Sequence, residues 1–259
     1  MSESNELIIS SSDQLLQPTT RRKFLGLLGV AGSVVFLPSV FTACKSDNGI
    51  TDPTQNPDSY RLNLSNDTGI LNYAYALEQL EAAYYTAALT SPGFAQLSPA
   101  EQEVLTDLQG HEVIHREFFK KVLGANAIPA IGFNAATVAT LTANRAILLS
   151  TSQLLEDTGV SAYNGAGKYL TSGANLLVAG KIVSVEARHA AAIRDIRDGN
   201  NGVAFAGDDV VNAAGLDVKA EPSSVLASVV SLNVVTSPLS IGTGPTGTAT
   251  PDQKAPNPS

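Results

Sequence analysis

All three histidines of the 259-residue chain fall in two short segments, His111-Glu112-Val113-Ile114-His115 and Glu186-Ala187-Arg188-His189. A Glu-x-x-His spacing puts both side chains on one face of a helix, less than a turn apart. One copy alone is ordinarily a surface pair. The hydrophobic pattern around these copies argues for something else. Steps of four and three residues give Leu71, Ala74, Glu78, Glu81, Tyr85 and Ala88 in a first helix, and Leu105, Leu108, Glu112, His115, Phe119 and Val122 in a second. A third reads Leu149, Ser152, Glu156, Gly159, Tyr163 and Ala166, and a fourth reads Ala179, Ile182, Glu186, His189, Ile193 and Ile196. Every helix therefore carries glutamate in the stripe that should face a core. Buried carboxylates cost several kcal/mol each unless paired, and the histidines are too few to neutralise them, so a pair of bound cations is expected.

Counting along the chain shows that these residues can meet. The first turn centres near Phe94, 16 residues after Glu78 and 18 before Glu112. The second centres near Leu170 or Thr171, 14 to 15 residues after Glu156 and 15 to 16 before Glu186. At about 1.5 Å per residue the mismatches are roughly 3 Å or less. The two halves also repeat. Glu78 and Tyr85 align with Glu156 and Tyr163, and Glu112-x-x-His115 then aligns with Glu186-x-x-His189. Glu81 falls opposite Gly159, so it is either a further ligand for which the glycine makes room or a hydrogen-bonding neighbour.

On Leu77-Glu78, Leu80-Glu81, Tyr84-Tyr85, His111-Glu112-x-x-His115, Glu156-Asp157-x-Gly159-Val160-x-Ala162-Tyr163 and Glu186-x-x-His189, the sequence resembles the ferritin-like superfamily. The resemblance covers roughly Asn66 to Gly199 and is nearest to exported bacterial ferritin-like domain proteins related to plant desiccation-related proteins. It implies an all-α, pseudo-twofold four-helix bundle with a long crossover between its second and third helices. The expected metal residues are Glu78, Glu81, Glu112, His115, Glu156, Glu186 and His189, with Tyr85, Tyr163, His111 and Arg188 around them. Carboxylate and imidazole donors suit two ions of iron or manganese. A competing pattern is His111-Glu112-x-x-His115 itself, the His-Glu-x-x-His of zinc metallopeptidases, with His111 and His115 on one zinc and Glu112 as base. It leaves the second Glu-x-x-His unexplained and supplies no third ligand.

The remaining sequence concerns location. Residues 1–43 read as a signal: Thr20-Arg21-Arg22-Lys23-Phe24-Leu25 matches the twin-arginine export pattern and leads an apolar stretch ending at Cys44, the single cysteine. Gly26, Gly29, Gly32 and Pro38 interrupt that stretch, and Val40-Phe41-Thr42-Ala43-Cys44 is lipobox-like. A cleaved lipoprotein signal is therefore favoured over a transmembrane anchor, with a membrane contact through lipid on Cys44 and residence in the periplasm or cell envelope. Residues 44–64 read as a flexible tether, 65–200 as the bundle, 201–236 as an extension with one short helix within Pro222 to Val235, and 237–259 as a disordered tail. Helix starts are expected near Ser65 to Asp67, at Ser98-Pro99-Ala100-Glu101 and near Ser172, with a crossover from Gly124 to Asn144. A net charge of -8 without a basic stripe excludes nucleic acid as a partner. The leading expectation is an oxidoreductase whose small substrate is peroxide or dioxygen, acting protectively. The alternative is a non-enzymatic metal-binding or stress-protection module. The pattern leaves the oligomeric state open.

Overall fold

The computed structural model describes residues 60–199, 202–236 and 239–245. Arg21, Arg22 and Cys44 lie outside the described residues, as do the export and lipidation expectations attached to them. Four long helices, α1 (Asp67–Ala88), α2 (Pro99–Leu123), α4 (Arg145–Ala166) and α5 (Gly173–Arg197), make the bundle. A short helix, α3 (Ala135–Leu141), interrupts the crossover, and α6 (Pro222–Ser231) follows the bundle within the span where one helix is expected.

Side-chain caps explain where the long helices begin. Asn66, Asn144 and Ser172 accept hydrogen bonds from the backbone N–H groups of Gly69, Ile147 and Asn175. Ser98 and Glu101 form a reciprocal capping box ahead of α2. Each cap typically contributes about 1 kcal/mol. At the other end of α2, Gly124 has φ +54, a conformation that strains any residue with a Cβ.

Two polar clamps set the directions of the helices. At one end Asp67 accepts from Thr171 N, Ser172 N and Asn175 Nδ2, tying the start of α1 to the start of α5. At the other, Arg145 at the start of α4 donates to Glu101 near the start of α2 and to the Ile196 carbonyl near the end of α5. Thus α1 runs with α5, α2 runs with α4, and the crossover returns the chain the length of the bundle.

Helix α1 has only three charged residues, Asp67, Glu78 and Glu81, and is buried almost all round. Its outer side is covered by the crossover: Asn72 donates to the Asn126 carbonyl and accepts from Ile128 N, while Gln79 accepts from Ile131 N. The stripe positions are otherwise as the period requires, except that Leu71, Ala179 and Ile196 are half-buried and Val122, in the last turn of α2, is 42 % exposed.

The sequence reading needs correction at both edges of the bundle. Tyr60–Asn63, assigned to the tether, is strand β1, and Leu239–Thr243, assigned to the disordered tail, is strand β2. They pair in parallel, Tyr60 with Leu239 and Leu62 with Ile241, and Leu62, Leu64 and Leu239 are buried. A strand of four or five residues has too few alternations to register against a polar, Gly- and Thr-rich background. Helix α6 buries Val225, Leu226 and Val229. Just before it, the chain crosses α4 at Gly165, where a Cβ would stand 1.8 Å from the Ala220 carbonyl oxygen, so only glycine admits this approach.

Candidate metal centre

Glu78, Glu112, Glu156 and Glu186 arrive from α1, α2, α4 and α5 at one level and are completely buried. His115 and His189 join them through Nδ1. His115 Nδ1 lies 2.8 Å from Glu186, 3.3 Å from Glu78 and 3.6 Å from Glu112. His189 Nδ1 lies 2.8 Å from Glu112, 3.4 Å from Glu156 and 3.3 Å from Glu186. The two sets mirror each other, as the repeated halves require. One atom each from Glu78, Glu112, His115 and Glu186 lie within 4.8 Å of one another, and so do atoms from Glu112, Glu156, Glu186 and His189. Glu112 and Glu186 belong to both groups.

Several of these short distances lack hydrogen-bond geometry. Glu78 Oε2, both Glu112 oxygens, Glu156 Oε2, Glu186 Oε1 and His115 Nδ1 are buried without a hydrogen-bond partner. Native interiors rarely tolerate this, and six such atoms converging in one place indicate donors arranged for cations rather than for one another. Carboxylate and imidazole donors gathered in this way can hold metal ions.

Electrostatics support the same reading. Burial, together with repulsion from Glu186 and Glu112, pushes the carboxyls of Glu78 and Glu156 up to about 8 against the pull of His115 and His189. Glu112 goes the other way: burial would raise it, but the imidazoles of His115 and His189 close beside it hold it at about 2. Burial disfavours the imidazolium of His189, yet the surrounding carboxylates push it up to about 12, and His115 is raised in the same manner. A cluster that binds protons so far outside their ordinary range is short of positive charge, which metal cations would supply.

The neighbours divide into those that reach the cluster and those that do not. Tyr85 donates to Glu156 at 2.6 Å and Tyr163 donates to Glu78, so each tyrosine crosses the bundle to the other half. His111 Nδ1 is 2.9 Å from His189 Nε2, and the two rings stack 5.1 Å apart. Burial and the nearby His189 and His115 lower the pKa of His111. A neutral His111 can accept a hydrogen bond from His189 Nε2, which would leave Nδ1 as the ring atom turned to the carboxylates and, once deprotonated, to a cation. Arg188, expected beside the site, is exposed and bonds the Ser184 carbonyl of its own helix, one turn back. The zinc-peptidase arrangement is not formed: Glu112 belongs to both groups and His111 to neither.

Glu81 is 3 % exposed but lies outside both groups. Burial and the four central glutamates raise its pKa. Its Oε1 is 3.2 Å from where a Cβ on Gly159 would stand, so the glycine does make room for it. One polar feature escaped the sequence reading. Arg194, 5 % exposed, bonds both Asp157 and Asp209, fastening the segment after α5 to α4. Its only sequence signal was an arginine one residue after the stripe position Ile193.

Fold and site together define a four-helix bundle enclosing a carboxylate and imidazole cluster built for cations. A family model described as ferritin-like domain matches residues 66–198. The chain belongs to that family. Comparison with curated proteins gives no match.

Proposed function

We propose that the chain is a dimetal-carboxylate oxidoreductase of the cell envelope, acting on peroxide or dioxygen in a protective role. The observation that carries this reading is the pair of four-residue groups sharing Glu112 and Glu186. Glu112 and Glu186 would be shared by the two ions, Glu78 with His115 would complete one position, and Glu156 with His189 would complete the other. Four carboxylates and two neutral imidazoles balance two divalent cations. Bound there, iron or manganese would supply redox equivalents and Lewis acidity toward an O–O bond. The chain's own part is orientation and exclusion of water. Tyr85 and Tyr163 fix the rotamers of Glu156 and Glu78, and the buried walls keep the site at low dielectric, where charge effects are strong. The envelope assignment is supported by the twin-arginine pattern at Arg21-Arg22 and by the lipobox-like run to Cys44. Lipid on Cys44 would hold the domain at a membrane.

Elemental analysis of natively expressed protein, followed by hydrogen peroxide and dioxygen consumption assays, tests the proposal. Two iron or manganese ions per chain with turnover that vanishes in Glu112→Ala are expected. Two ions without turnover would make the protein a metal-binding module, and one zinc per chain would overturn the dimetal reading.

A further inference from the structure

A pocket of about 200 Å³ opens between α1, α4 and α6. An apolar cavity of roughly 150 Å³ accepts a benzene-sized molecule, so this one has room for a ligand as well as for water. Its walls are Leu77, Leu80, Leu155 and Val229, and its rim carries the hydroxyls of Thr158 and Ser228. Glu81 and Gly159 also line it, one helical turn beyond Glu78 and Glu156. Position 159 is where the repeat breaks: a side chain there would take the space into which Glu81 projects. Glu81 is almost fully buried, and what remains accessible of it lines this pocket. The natural complement of a carboxyl group at the wall of a small pocket is a hydrogen-bond donor supplied from the pocket.

We propose that this pocket binds a small uncharged molecule with an apolar tail and a hydrogen-bond-donating head, the head meeting Glu81 and the tail lying along Leu77, Leu80, Leu155 and Val229. Anions are excluded by the buried carboxylates on this side of the bundle. A dehydrated metal cation is disfavoured because Glu81 is the one carboxylate among the lining residues and the remaining side-chain oxygens are hydroxyls at the rim. Large molecules are excluded by volume. The pocket deepens the functional reading by naming small alkyl hydroperoxides as the substrate class. That identification rests on the proposed reactivity of the centre, whereas binding in the pocket does not.

The test uses the full chain with tert-butanol as an unreactive probe, followed by saturation-transfer NMR and by shifts of the Leu77, Leu80 and Leu155 methyl groups. Wild-type protein should bind tert-butanol, with acetate giving no signal. Thr158→Trp and Ser228→Trp, both at the rim, should each weaken binding by about tenfold or more while metal content stays unchanged. Glu81→Leu should weaken it as well, and Glu81→Gln, which keeps an acceptor, should restore it. Equal binding by wild type and both rim variants, or acetate binding as well as tert-butanol, would overturn the proposal. Probe binding without turnover of tert-butyl hydroperoxide would leave the pocket standing and refute alkyl hydroperoxides as the substrate class, while absence of hydrogen peroxide and dioxygen turnover as well would refute the functional reading.

Discussion

Metal-free protein should lose stability as the pH rises from about 5 to about 8. Glu78 and Glu156 have folded-state values of about 8 against an ordinary 4.5. A carboxyl raised in this way binds its proton more tightly when folded, so its stabilising effect is full below the unfolded value and is lost as pH climbs through the folded one. Each such group changes stability by about 1.4 kcal/mol per pH unit within that window. Two independent groups would double this, but they share one site and titrate as a coupled set, so the slope lies between one and two protons. Over two pH units the loss is about 3 to 5 kcal/mol, a large fraction of typical domain stability and roughly a ten-degree fall in Tm. His115 and His189, also raised, act in the same direction above the ordinary histidine value of 6.5. Glu112, held at about 2, contributes a loss of stability only as the pH falls below the ordinary 4.5. The metal-free optimum therefore sits near the ordinary glutamate range. Metal-loaded protein should show the opposite trend, because protons compete with cations for the same oxygens. Calorimetric melts of chelated and loaded protein at fixed ionic strength measure both slopes. Parallel slopes, or a chelated protein that gains stability between pH 5 and 8, would refute the inference that these carboxyls share one buried site.

The shared and unshared carboxylates should behave differently on truncation. Glu112→Ala or Glu186→Ala should abolish loading of both ions, whereas Glu78→Ala should retain one, as measured by elemental analysis. His111→Ala should weaken one of two ions by about 10- to 100-fold and leave the other unchanged, read by calorimetric titration; equal affinities before and after the substitution would mean that His111 does not orient His189. Tyr163→Phe and Tyr85→Phe each remove the donor to a buried carboxyl and should lower the stability of metal-free protein by about 1 to 3 kcal/mol in denaturant melts.

The six residues of the two groups were legible because helical periodicity alone puts them on core stripes, and turn positions alone set their heights. The partners of Tyr85 and Tyr163 were not legible. Their alignment marked them as equivalent, but a bond that crosses from α1 to Glu156 or from α4 to Glu78 depends on which helices pack, a tertiary property. His111 looked peripheral because it precedes the stripe position Glu112, about 100° round the helix. That direction leads to α5, where His189 stands. The pairing of β1 with β2 joins segments some 180 residues apart, and no local pattern announces such a contact. Position 159 was the informative exception. Comparison of the halves left open whether Glu81 is a further ligand for which the glycine makes room or a hydrogen-bonding neighbour; Glu81 does project into the space beside Gly159, 3.2 Å from where a Cβ would stand, and it lies outside both four-residue groups.

The repeated halves make the ligand sets of the two positions chemically equal: two shared glutamates, one unshared glutamate, one histidine and one tyrosine behind the unshared glutamate. Any difference between them must arise from what lies outside those sets. Two breaks in the repeat supply it. On the α2 and α5 side, His111 stands behind His189, while the matching position behind His115 is Val185, which can accept no proton from an imidazole. On the α1 and α4 side, Glu81 faces Gly159 in place of a second carboxyl, and both residues line the pocket between α1, α4 and α6. The first break puts a ring-nitrogen partner behind one histidine, and the second puts a pocket beside Glu81. The two halves therefore match in their central glutamates and histidines and differ in what stands behind the histidines and beyond the unshared glutamates.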